Sequence, residues 1–119
     1  MRRALFCAAL IGLSACAEIH KSPDFVRHNN SRFSEPDNVD VLYFDVYTGA
    51  EYPADNEAAE SVRMGWLAAW LDQFNLCASG YDVIQRREFN YLENNPGRYD
   101  LRYEVQCKVV VPAEASAAD

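Results

Sequence analysis

Histidine is scarce in this chain: 119 residues hold only His20 and His28, both in a polar stretch near the N-terminus. Serine or cysteine nucleophiles need a base beside them, so the scarcity disfavours nucleophilic hydrolysis. The chain also lacks a G-x-S-x-G serine elbow, an H-E-x-x-H helix and a glycine-rich phosphate loop. Paired carboxylates can work on glycans, and Asp45, Glu51 and Asp55 fall near one edge of the predicted topology, but any acidic loop carries that pattern. A zinc site takes about four ligands, and the two histidines lie far from Cys77 and Cys107. These absences predict a protein that is not an enzyme, with no cofactor and no metal.

Positive charge is scarce as well. Lys and Arg number 11 against 18 Asp and Glu, a formal charge of -7. Phosphate-backbone binding runs on clustered Lys and Arg, so nucleic acid is not an expected partner. Anionic headgroups repel such a chain too. Half of the residues are hydrophobic and 13% are aromatic, a composition of globular domains rather than disordered ones.

The N-terminus reads as an export signal. Arg2 and Arg3 form a basic start, and Ala4 to Leu13 an apolar run of about ten residues, within the range of a signal peptide and too short for a bilayer. Leu13-Ser14-Ala15-Cys16 follows and resembles the lipobox of bacterial lipoproteins. That resemblance covers residues 1–17 and implies removal of residues 1–15, a diacylglycerol on the Cys16 thiol and acylation of its new amino group. Ala17, where aspartate favours inner-membrane retention, implies the periplasmic face of the outer membrane. The alternative is a small-x-small site, Ala15-Cys16-Ala17, whose cleavage would release a soluble periplasmic protein starting at Glu18. Loss of the signal removes Arg2 and Arg3 and no acid, moving the charge from -7 to -9.

Four cysteines then have four fates. Cys7 leaves with the signal and Cys16 carries lipid. Cys77 and Cys107 remain in an oxidising compartment, where a disulfide would close a loop of about 31 residues and contribute roughly 3–4 kcal/mol in the chain-entropy account.

Residues 16–38 read as the lipidated cysteine and a flexible tether with a root-mean-square reach of roughly 25 Å. Residues 39–111 read as one α+β domain and 112–119 as a disordered tail. Val39 to Thr48 alternates as a strand, with Leu42, Phe44 and Val46 on one side and Tyr43, Asp45 and Tyr47 on the other. Asp55 or Asn56 caps a helix to about Ala78, stopped by Gly80, with Ala59, Val62, Trp66, Ala69, Trp70, Phe74 and Cys77 on its apolar face. Trp66 and Trp70 are expected in the core. Arg63, at the edge of that face, is expected to bury its stem and keep its head in water.

Two further strands follow, Tyr81 to Tyr91 and Tyr99 to Val111, joined by a type II turn at Asn95-Pro96-Gly97-Arg98. The second alternates Tyr99, Leu101, Tyr103, Val105, Cys107 and Val109 with Asp100, Arg102, Glu104, Gln106 and Lys108, so one face is packed and one wet. The first is irregular, and a bulge near Gln85–Arg87 would restore its phase. The resulting fold is β-α-β-β: one amphipathic helix on a three-stranded, mainly antiparallel sheet, with the last strand central and the disulfide stapling helix end to strand.

Two surfaces are candidates for interaction. One is the wet sheet face with Arg86, Glu88, Arg102, Glu104, Gln106 and Lys108, whose alternating signs also suit plain cross-strand pairing. The other is Tyr43, Tyr47 and Tyr52, since tyrosine is favoured at interfaces. The leading expectation is a lipid-anchored, non-catalytic module that meets a protein of the envelope. The alternative is a binder of a small envelope ligand, a lipid or glycan fragment, in a cleft between helix and sheet lined by Trp66, Trp70 or Tyr103. The native, unreduced protein should have the mass of residues 16–119 plus acyl chains, less two hydrogens. A lipid-free mass starting at Glu18 would exclude the lipoprotein reading.

Overall fold

The computed structural model describes residues 22–37 and 40–109, so residues 1–15, Cys16 and residues 112–119 lie outside the described residues. The elements are α1 (Pro23–Asn30), β1 (Ser31–Ser34), β2 (Leu42–Val46), α2 (Glu57–Gln73), β3 (Tyr81–Glu88) and β4 (Leu101–Cys107). The four strands form one antiparallel sheet in the order β1-β2-β4-β3. The fold is thus α+β, with β4 between β2 and β3 as its regular alternation predicts. It has one strand and one helix more than expected.

Both additions lie in the segment read as a tether. Ser22 caps α1, its Oγ accepting from the Phe25 amide at 3.2 Å, and Pro23 opens the helix with Asp24 in the first turn. A proline there loses no helical hydrogen bond, and an acid suits the helix dipole. Arg27 and His28 hold α1 to α2. The Arg27 guanidinium lies 4.8 Å from the centre of the Trp70 ring and donates to Gln73 at 2.8 Å, and the His28 ring packs 4.6 Å from Trp70. The chain then pairs β1 with β2, Ser31 opposite Val46 and Ser34 opposite Tyr43.

Helix α2 begins where predicted: Asn56 accepts from the Ala59 amide at 2.8 Å. It ends earlier, at Gln73, because Asn75 takes the left-handed conformation (φ 54°) expected of Gly80. Leu76 N–H donates to Leu71 O and Asn75 N–H to Asp72 O, a Schellman closure in which Leu76 packs on the core that includes Leu71. The buried face is also rotated from the one expected. Ala59, Trp66 and Trp70 are buried, but so are Arg63, Leu67 and Leu71, while Val62 and Phe74 are 40% and 45% exposed. Phe44, Val46, Leu101, Tyr103 and Val105 complete the core from the sheet.

The remaining junctions differ in detail. β3 ends at Glu88, and its bulge falls between Val83 and Gln85. The turn at 95–98 is closed by Arg98 N–H to Asn95 O at 3.1 Å, but Arg98 (φ 55°) rather than Gly97 is left-handed, so it is not type II. Gly97 is needed for close approach: a Cβ there would sit 2.6 Å from the Tyr99 ring. Cys77 and Cys107 form the expected disulfide, Cα atoms 4.8 Å apart, tying the loop after α2 to the end of β4. Replacing both cysteines by alanine should lower stability by about 3–4 kcal/mol, read as a lower urea midpoint with little change in the core fluorescence of Trp66 and Trp70.

Candidate functional site

The bulge decides where the charged residues go. Without it, Arg86 would lie opposite Arg102 on the face away from α2. The extra residue, Ile84, shifts the phase so that Gln85 pairs with Glu104, Arg86 with Tyr103, Arg87 with Arg102 and Glu88 with Leu101. A one-residue slip exchanges the faces of everything beyond it. Arg86 and Glu88 therefore leave the predicted wet face for the α2 side, and Arg87 replaces them.

On the α2 side, Tyr103 is the centre of a polar cluster. Its hydroxyl donates to Glu60 Oε2 at 2.6 Å and accepts from Arg63 Nε and Arg86 Nε, each at 3.1 Å. Arg63 is fully buried, correcting the expectation of a solvated head. It donates to Glu60 Oε2 at 3.0 Å and to the carbonyls of Tyr52, Pro53 and Ala54 at 3.1–3.2 Å. Its five-donor fork matches three converging carbonyls, which fixes the loop entering α2. Arg86 adds a bond to Ala54 O. Burial pushes the Tyr103 hydroxyl above its ordinary pKa, and the bond to Glu60 adds to this. The bond to Tyr103 raises Arg86 in turn. These bonds tie α2, β3 and β4 together at one hydroxyl.

On the opposite side, Arg32, Asp45, Arg102 and Arg87 stand in one cross-strand row. Asp45 is fully buried. It accepts from Arg32 at 2.7 Å and from two nitrogens of Arg102 at 2.8 and 3.1 Å. Glu93, on the loop after β3, bridges Arg87 at 2.5 and 3.0 Å and Arg102 at 3.4 Å. Tyr43 and Phe89 cover the Arg102 guanidinium at 4.0 and 4.7 Å, and Tyr99 covers Arg32 at 4.8 Å. Arg102 is only 8% exposed, so this end of the predicted wet face is roofed by its own loop. Burial opposes the Arg102 charge, but Asp45 outweighs it and the pKa is raised. The bond from Arg87 holds the Glu93 carboxyl down at about 2.

The predicted tyrosine group does not assemble. Tyr43 covers Arg102. Tyr47 stacks on Tyr99 at 4.2 Å and donates to Gly97 O. Tyr52 lies on the α2 side, edge-on to Trp66 at 4.9 Å. Lys108 is exposed near Asp82 at the start of β3, 3.9 Å away. The predicted helix–sheet cleft is likewise filled, with Trp66, Trp70 and Tyr103 at 6%, 8% and 1% exposure. A surface hollow of about 460 Å³ lies instead by the start of α2, lined by Ala54, Asp55, Asn56, Glu57, Glu60 and Arg86. Among the described residues no group of three or more His, Cys, Asp or Glu is placed to hold a metal, and no helix is long and apolar enough to cross a membrane.

The surface that sequence reasoning missed is the outer edge of β3. This strand is eight residues long, has one neighbour among the described residues, β4, and bears Val83 and Ile84 at 39% and 51% exposure. Tyr91 and Leu92, on the loop just beyond, are 95% and 82% exposed. The irregular alternation of residues 81–91 was the only signal for it. No family model, curated protein or solved structure matches this chain.

Two outcomes test the polar clusters. Arg63→Met should cost about 3–5 kcal/mol by leaving the Tyr52 and Pro53 carbonyls without their donor and taking one of the donors from Glu60, against about 1–2 kcal/mol for Tyr103→Phe, measured by urea denaturation. Glu93→Gln should cost roughly 1–2 kcal/mol at neutral pH. Because the folded Glu93 pKa is depressed to about 2 from 4.5, the stabilisation is fully present above the unfolded value and is lost as pH falls towards the folded one. The gap between wild type and Glu93→Gln should therefore close between those two pH values.

Proposed function

We propose that this chain is a bacterial envelope lipoprotein, held on the periplasmic face of the outer membrane by acyl chains on Cys16, which acts as a non-catalytic docking module for another envelope protein. The observation that carries the docking role is the β3 edge: a long strand with one side unpaired among the described residues, two exposed aliphatic side chains and an exposed Tyr91-Leu92 pair beside it. Such an edge accepts an extended segment by strand addition, main-chain bonds supplying affinity and alternate side chains specificity. The non-catalytic reading draws support from the two charged clusters, whose tyrosines, arginines and carboxylates bond mainly to one another and to the backbone.

A photo-crosslinking residue at Ile84 or Tyr91 should capture one discrete partner in intact cells, and the same residue at Val62, exposed on α2, should not. Val83→Asp with Ile84→Lys should abolish the adduct formed from position 91 while leaving thermal stability within about 1 kcal/mol. Diffuse adducts from both edge positions would count against a dedicated partner.

A further inference from the structure

The start of α1 fixes how the anchored domain meets its membrane, an inference that rests on the lipid-anchor reading above. Six residue steps separate Cys16 from Ser22, the N-cap of α1. Even fully extended, six steps span at most about 20–22 Å. A folded body of about 90 residues has a radius of gyration near 12 Å and so a diameter of roughly 30 Å. The link is therefore shorter than the domain is wide, and the surface around Ser22 is the one held nearest the leaflet that carries the acyl chains.

That surface is aromatic. The Asp24 carboxylate and the Gln73 amide both touch Arg27 Nη2, at 3.5 and 2.8 Å, so the first turn of α1 lies beside the last turn of α2. Phe74 follows Gln73 and is 45% exposed. Its ring lies against Phe33 at 5.6 Å and Trp70 at 6.0 Å, and Trp70 carries His28 on another side. Phe25, on α1, is 39% exposed. Aromatic rings next to polar groups suit the boundary between headgroups and acyl chains. The opposite edge of the sheet, β3, stands three strand spacings away, roughly 14 Å.

We propose that this aromatic patch, centred on Phe74 and α1 and held nearest the anchor by the short link, seats on the surface of the anchoring leaflet, with the β3 edge roughly 14 Å further from it. The occupant of the patch is lipid, and its contact is aromatic rather than electrostatic, in keeping with the acidic charge of the chain.

The test uses the full lipidated protein, with acylation checked by intact mass, in phosphatidylcholine vesicles containing brominated chains. A fluorescent amino acid is placed singly at Phe74, at Asn29 on the exposed side of α1, and at Ile84 on β3. Quenching at positions 74 and 29 should exceed that at 84 by at least about threefold. Equal, weak quenching at all three positions of an acylated, vesicle-bound protein would overturn the seating while the anchor stands. A lipid-free mass and no flotation with vesicles would remove the anchor and the seating with it. Should the label at 74 unfold the protein, the comparison of 29 with 84 decides alone.

Discussion

A single extra residue in β3 sets the arrangement of charge throughout the domain. With Ile84 outside the ladder, every side chain beyond it changes face. Arg86 then reaches Tyr103 and Glu60 under α2, and Arg87 reaches Glu93 on the other side. A regular β3 would turn Arg86 towards Arg102, where two arginines already share one buried aspartate, and would leave Tyr103 with one cationic partner. The bulge also twists the edge strand and interrupts its row of main-chain groups. The edge thus keeps exposed aliphatic side chains at Val83 and Ile84 beside an irregular ladder rather than a flat one.

The two faces of the sheet solve the same problem differently. A small domain buries a modest core, and this one adds to it by burying arginines that each meet carboxylates, carbonyls or rings, although the Nε atoms of Arg27 and Arg32 are buried without a partner. Under α2, Arg63 replaces an apolar residue and ties a loop by three carbonyls. On the outer face, Asp45 is gripped from both sides while rings cover the guanidinium groups. Burying charge costs several kcal/mol per ion unless hydrogen bonds are met. Arg63 meets that condition with bonds to several separate acceptors and Arg102 with a bidentate grip on Asp45, contacts that lysine cannot reproduce, and all the cations in the two clusters are arginine.

Several parts of this fold are legible from local pattern. Asn56, Glu57 and Glu60 mark the start of α2, Trp66 and Trp70 mark its core side, and the alternation from Leu101 to Cys107 marks a strand with one packed face. The pairing of Cys77 with Cys107 follows from the cysteine count once export is expected from the N-terminal pattern. The helix at Pro23–Asn30 also left a legible signal in Ser22-Pro23-Asp24, a cap, a first-turn proline and an acid. It is obscured by the surrounding polar residues and by its brevity, since eight residues carry barely two turns of apolar period. β1 offers less still: four residues, Ser31 to Ser34, whose only bulky apolar member is Phe33.

What the sequence by itself determined are the features set by near neighbours along the chain, the cap of α2 and the alternation of β4, together with the pairing of Cys77 and Cys107. Only the tertiary structure decided which arginines are buried, because a guanidinium is stable inside only where distant groups converge on it. Arg63 meets Tyr103 forty residues away, and Arg102 meets Asp45 fifty-seven residues away. It also decided that the segment after Ser22 belongs to the domain, since α1 and β1 are too short to hold themselves and gain their stability from Trp70, Gln73 and the edge of β2.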